Sequence, residues 1–367
     1  GLLNKAELEN CEAFGGDVDY DNLYNTRYQT LKTAFSRFDK HGAEFISFVE
    51  SGEFDAYATF MALCARFGGS LLNFPEEYRN YNGEAVKKFR EEVYETDYLF
   101  WQFLQFQFSK QWKKLKNYVN SLGIDIIGDI PLYVAYDSAD VWEHPELFQL
   151  DGDMNPTKVA GVPPDYFSKT GQLWGNPLYD WEKMAEDGYG WWVERIRKAS
   201  ALYDVVRIDH FRGLDRYYAI PADAETAETG EWLDGPKDKL FCEVRAKLGD
   251  IPMIAEDLGF MDEGVEKLRV ATGFPGMKIA LFAFDGNPDN DYLPHNMHEN
   301  SVAYTGTHDN ATALGLLEKM TEAQFKVFKK RLRAEMKEIG LVLPFVTREE
   351  AARALVALTL ASPAKLA

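Results

Sequence analysis

The 367-residue sequence carries 40 Lys and Arg against 59 Asp and Glu, a net charge of −19, with 46% apolar and 14% aromatic residues. This balance excludes a phosphate-backbone partner such as nucleic acid, which needs a basic face, and suits a neutral substrate. No apolar run of about 18 residues is present to span a membrane, no signal peptide is legible, and the three scattered cysteines (Cys11, Cys64, Cys242) form no metal or redox motif, which predicts a reduced, cytoplasmic setting.

The length accommodates one large barrel with insertions, or two ordinary domains. Residues 1–122 read as a helical region. Leu23, Tyr24, Tyr28, Leu31, Phe35 and Phe38 recur at helical spacing. The stretch EFDAYATFMALCARFGG is a second helix, closed by Gly68 and Gly69. From 84 to 121 a long aromatic pattern (Phe89, Tyr94, Tyr98, Trp101, Phe108, Trp112, Leu115, Val119) implies two helices or one bent one.

At Gly123 the pattern changes, and 123–367 read as strands alternating with amphipathic helices. GIDIIGDIPLYV is a strand bearing Asp129. A loop insertion follows over 135–190, rich in turn signals and aromatics, and a loop that long is usually functional. VVRIDHFRGL is a buried strand running into a loop. IPMIAEDLG, GMKIALFAFD and SVAYTGTHDN are further strands, and helices run from 312 to about 360. Five strands with helical crossovers predict a parallel sheet. Charged or His-bearing turns at their ends predict a (β/α)8 barrel read along its catalytic rim. A doubly wound sheet is the alternative, but no G-x-G-x-x-G phosphate loop is present.

Four acids mark strand ends: Asp129, Asp209, Glu256 and Asp309. Arg207 lies two residues before Asp209, on the same strand face, and is its natural partner. Any one of these acids is explicable as a solvated loop cap. Two carboxyls flanking a bond are the minimum for glycoside hydrolysis or transfer, one ionised as nucleophile and one protonated as acid. A divalent metal site is the rival chemistry; no His pair has ligand spacing, and Arg207 would compete with a cation, so no metal and no cofactor are expected.

Six pieces in order make a family resemblance: GDIPLYVAYDSADVW, AGVPPDYFSKTGQLWGNPLYDW, VVRIDHFRGL, IAEDLG, GFPGMKIALFAFD and YTGTHDN. The chain resembles the 4-α-glucanotransferases, the amylomaltase or disproportionating-enzyme family related to α-amylases. The resemblance implies a retaining transferase that moves α-1,4-glucan segments between maltooligosaccharides. It implies Asp209 as the nucleophile of a covalent glucosyl intermediate, Glu256 as general acid/base and Asp309 as the third carboxylate. Arg207 would keep the nucleophile ionised, and Asp129, His210 and His308 would contact the donor sugar. The 160–176 segment would be a loop over the cleft, with Asp165, Tyr166 and Trp174 as candidate sugar contacts. Relative to the family, the barrel is expected to be truncated at both ends, lacking its first part and its last strand. An α-1,4-glucan hydrolase and an inactive glycan-binding fragment are the alternative functions.

Overall fold

The computed structural model describes residues 1–9, 18–165, 168–259 and 261–367. Its described N-terminal third is helical. Asp19 opens the helix Tyr20–Ser36 by accepting the N–H of Asn22 at its side chain. The helix Asp55–Phe67 closes on Gly68 and Gly69, both at positive φ. The long aromatic stretch divides as its length predicts, into helices Glu84–Glu92 and Leu99–Ser121 joined by a π-helical turn, Tyr94–Tyr98. Their aromatics pack on one another: Phe38 lies 5.1 Å from Phe45 and 4.8 Å from Phe103, ring centre to ring centre. This core runs without a break from Phe35 through Trp142 and Ile208 to Phe274. The helices therefore brace the strands directly.

Among the described residues nine strands follow: β1 (Ile127–Ile130), β2 (Lys158–Val162), β3 (Gln172–Pro177), β4 (Val205–Ile208), β5 (Arg216–Pro221), β6 (Glu231–Asp234), β7 (Met253–Ala255), β8 (Gly276–Ile279) and β9 (Ser301–Tyr304). The five expected from the sequence are all present and all parallel. They form two ladders, β1-β4-β7 and β8-β9. Between these ladders the N–H of Ala255 donates to the carbonyl of Pro275 at 3.0 Å. The chain is thus an α/β protein, with helices Gly190–Leu202, Asp238–Leu248 and Glu263–Thr272 as crossovers. At the far edge, Leu366 bridges to Val302 in parallel, and the N–H of Ala303 donates to its carbonyl at 2.8 Å. Among the described residues no helix is long and apolar enough to cross a membrane.

Three strand readings need correction. The strands are shorter than their apolar runs: β1 stops at Ile130, β9 at Tyr304, and residues 280–285 turn as a 3-10 helix after β8. The stretch read as a loop over 135–190 contains β2 and β3, an antiparallel hairpin, within a second sheet ordered β3-β2-β5-β6. Strands β5 and β6 were not predicted at all. Glycine hides the hairpin from pattern reading: Gly161 sits where a Cβ would meet the Gln172 carbonyl oxygen at 2.2 Å, so tight pairing replaces alternating side chains.

Candidate active site

The parallel register sets the site. Asp129 stands beside Arg207 across β1 and β4, and Ile208 stands beside Ala255 across β4 and β7. Main-chain pairing continues past the ends of β4 and β7. The N–H of Asp209 donates to Ile130 at 3.0 Å, that of Glu256 to Ile208 at 3.0 Å, and that of Phe211 to Glu256 at 3.1 Å. Backbone hydrogen bonds therefore fix the Cα positions of Asp209 and Glu256 on adjacent strand ends, before either side chain acts.

Arg207 is 7% exposed and sits between the acids. Its Nη1 lies 2.5 Å from Asp129 Oδ2 and 3.1 Å from Asp209 Oδ1, and its Nε donates to Met277 Sδ at 3.3 Å. The sequence pointed to Asp209 as the partner; the shorter contact is with Asp129, and one guanidinium serves both carboxylates. Burial pushes the Asp209 carboxyl up, Arg207 pulls it back, and the charges of Asp129 and Asp309 push it up again. Glu256 is displaced further, up to about 7, first by burial and then by the charge of Asp209. Arg207 opposes this, as do the N–H groups of Leu258 (3.0 Å) and His210 (2.8 Å), which donate to the Glu256 carboxylate. Two neighbouring carboxyls thus experience different surroundings, the condition for dividing nucleophile from acid.

His210 takes a left-handed backbone, φ 50°, uncommon outside glycine. Burial, followed by the charge of Arg212, lowers its ring to about 4, so the imidazole is neutral at pH 7. Its Nε2 is buried and meets no hydrogen-bond partner among the described residues. Trp174, on β3, places its ring edge-on to His210 with centroids 4.8 Å apart, and Tyr133 lies 6.4 Å away. The hairpin that was read as a loop therefore brings its tryptophan to the strand ends.

The remaining candidates divide. Asp309 and His308 lie in the turn after β9, not at the strand end: their side chains are 67% and 70% exposed and 3.4 Å apart. The charge of Asp309 still reaches Asp209 and pushes its carboxyl up. Asp165 accepts the N–H of Ser168 at 2.7 Å and so shapes the hairpin turn. Tyr166 lies outside the described residues. Among the described residues, no group of three or more His, Cys, Asp or Glu is arranged to hold a metal ion.

Four residues at the site were missed by sequence reasoning. Tyr133 is buried against Tyr179, with near-parallel rings 6.0 Å apart. The Tyr304 hydroxyl, at the end of β9, is raised by burial and feels both Arg207 and Asp129. Tyr292 is pushed up to about 12 by burial, then by Asp257 and Glu256. Met277 carries the sulfur that Arg207 meets. Tyr133, Met277 and Tyr304 belong to motifs already singled out, GDIPLYV, GFPGMKIALFAFD and YTGTHDN, whereas nothing in the sequence marked Tyr292.

Comparison with known proteins bears on the family and the fold. The family model for 4-alpha-glucanotransferases, glycoside hydrolase family 77, matches residues 1–367. The 4-alpha-glucanotransferase of Clostridium butyricum is 44% identical over 325 residues, covering 86% of this chain and 66% of that protein. That of Thermus thermophilus is 43% identical over 362 residues, covering 96% and 71%. The amylomaltase of Streptococcus agalactiae, solved in complex with acarbose, superposes with a TM-score of 0.90 at 37% identity, over 100% of this chain and 73% of that one. The chain spans about two thirds of the length of the curated relatives it matches. On sequence and on fold together, the chain belongs to the 4-alpha-glucanotransferase family, glycoside hydrolase family 77.

Proposed function

We propose that the chain carries the site of a retaining 4-α-glucanotransferase, moving α-1,4-glucan segments between maltooligosaccharides on the rim of a (β/α)8 barrel whose successive staves include β1, β4, β7, β8 and β9. One observation carries this reading: Asp209 and Glu256 end adjacent parallel strands, with Arg207 against the first and burial holding the second up at about 7. Asp209 attacks the anomeric carbon as the glycosidic C–O bond breaks. Glu256, still protonated near neutrality, gives its proton to the departing oxygen. The result is a β-glucosyl ester on Asp209. Glu256, now a carboxylate, takes the proton of an incoming 4-hydroxyl, which displaces Asp209, and two inversions leave the configuration retained.

The neutral chain of sugars is held by hydroxyl partners rather than charge clamps. Asp309 and Asp129 accept from donor-sugar hydroxyls, and His308 and the neutral ring of His210 contact the same sugar. Trp174 and the hairpin, with Asp165, cover the cleft and keep water from the ester. The Streptococcus agalactiae amylomaltase holds acarbose, and we carry that ligand to this cleft. The test is incubation with maltotriose. Glucose appearing together with maltopentaose and longer products supports transfer. Glucose and maltose alone mean hydrolysis, and acarbose binding without turnover means a binding site only.

A further inference from the structure

The seam between β7 and β8 is built differently from the ladders on either side. Ala255 donates across it to Pro275 at 3.0 Å, and the next donor of β8, the N–H of Met277, goes to a side chain: it meets Asp257 Oδ1 at 2.6 Å. Asp257 directly follows Glu256, and the alternation of an extended chain turns one carboxyl to the cleft and the other to the seam. The fit there is tight. Asp257 is 6% exposed, and a Cβ on Gly276 would lie 2.2 Å from its Oδ2. Arg269, itself 11% exposed at the side chain, supplies the countercharge, with Nε 3.5 Å from Oδ2. The residue so held, Met277, is 1% exposed and accepts Arg207 Nε at its sulfur, 3.3 Å away. Arg207 in turn bonds Asp129 and Asp209.

We propose that Asp257 is a positioning residue of this site: its carboxylate replaces a main-chain rung of the β7–β8 seam and thereby holds Glu256 on one side and, through Met277, Arg207 on the other. The carboxylate accepts the Met277 N–H and lies 3.5 Å from the guanidinium of Arg269, which it shares with Glu266, and it is buried in the seam away from the sugar. Removing the rung leaves a buried N–H unpaired and lets the strand end carrying Glu256 move relative to the Arg207 carrying Asp209. Small displacements of a reacting group are expensive: about 1 Å costs about 10²-fold in rate.

This inference rests on Glu256 being the acid, and the experiment separates the two. Asp257→Ala removes the rung and the charge; Asp257→Asn removes the charge and keeps an acceptor for Met277. The readouts are the ¹³C carboxyl titration of Glu256, assigned by its loss in Glu256→Gln, and turnover of maltotriose and of α-maltosyl fluoride, whose leaving group needs no proton. Circular dichroism selects folded protein for each. Positioning predicts that the Glu256 titration falls clearly in Asp257→Ala and little in Asp257→Asn. It also predicts a loss of kcat of at least about tenfold in Asp257→Ala, with KM near the parent's, smaller on the fluoride than on maltotriose and largely restored in Asp257→Asn. A Glu256 titration unchanged in folded Asp257→Ala, or shifted equally in both variants, overturns the proposal, since the first denies any displacement and the second shows a charge effect only. Equal losses of Glu256→Gln on the two donors in a single-turnover measurement of leaving-group release, which reads the first displacement alone, overturn the assignment of Glu256 instead.

Discussion

Glu256 should destabilise the protein it serves, in a pH-dependent way. Its carboxyl ordinarily titrates at 4.5 and is raised to about 7 here by burial and by Asp209. The sign follows from proton counting. Below 4.5 the group is protonated in both folded and unfolded chains and costs nothing. Between 4.5 and 7 the unfolded chain releases its proton while the folded one keeps it, so stability falls as pH rises, and above 7 the loss is complete. The gap corresponds to roughly 3 kcal/mol at pH 8, and on the order of 1 kcal/mol at pH 5. Glu256→Gln abolishes the ionisation. It also places an amide NH2 near the N–H groups of Leu258 and His210, which now donate to the carboxylate; that penalty, about 1 kcal/mol, does not depend on pH. The informative quantity is therefore the difference between the two proteins at pH 8 less the same difference at pH 5, from urea unfolding. It should favour the variant by about 2 kcal/mol, or a few degrees in Tm for a chain of this size. A difference that stays flat with pH, or grows in favour of Glu256 as pH rises, would refute the reasoning, because it would mean that the folded carboxyl ionises as readily as the unfolded one.

Asp209→Asn should leave the circular dichroism spectrum unchanged and reduce maltotriose turnover below about one hundredth, since only the attacking charge is lost; by removing that charge it should also lower the titration of Glu256, readable by carboxyl NMR. Gly128→Ala should cost about 1–3 kcal/mol or more in urea unfolding, because the new methyl would stand 2.0 Å from the Tyr203 ring. Trp174→Ala should weaken acarbose binding about fivefold by calorimetry, the equivalent of ~1 kcal/mol for one aromatic contact, while the melting temperature barely moves because the ring is 37% exposed.

The sequence disclosed best what depends on local pattern. β-branched runs and helical periods located all five parallel strands and their crossovers, because burial on both faces leaves continuous apolar runs. It also placed Asp209 and Glu256 correctly, since a charge ending such a run has few structural uses. It failed where pairing is long-range. Gly161 in β2 and Gly171 just before β3 sit at close approaches, and β5, although buried over Tyr217–Ile220, follows the loop of VVRIDHFRGL without a turn signal to announce it. The partnership of Arg207 was half legible. Spacing along one strand points to Asp209, but the shorter contact crosses to the neighbouring strand, where parallel register alone puts Asp129 alongside. The role of Met277 was invisible, because a methionine in an apolar run reads as core until its neighbours are known, and Tyr292, in the polar loop NPDNDYLPHN, reads as a turn residue.

The left-handed turn at His210 has a further consequence. Its N–H donates to Glu256 Oε2 while its own chain neighbour is Asp209. Hydrogen bonds to an ionised acceptor are about twice as strong as those to a neutral one. On the proposed mechanism, when Glu256 surrenders its proton in the first displacement, the bond to His210 tightens at the moment when the adjacent residue becomes an ester. On that mechanism, proton loss at one strand end draws in the backbone at the other, and the turn is a latch that grips hardest while the glucosyl group is attached and relaxes when the acceptor's proton returns.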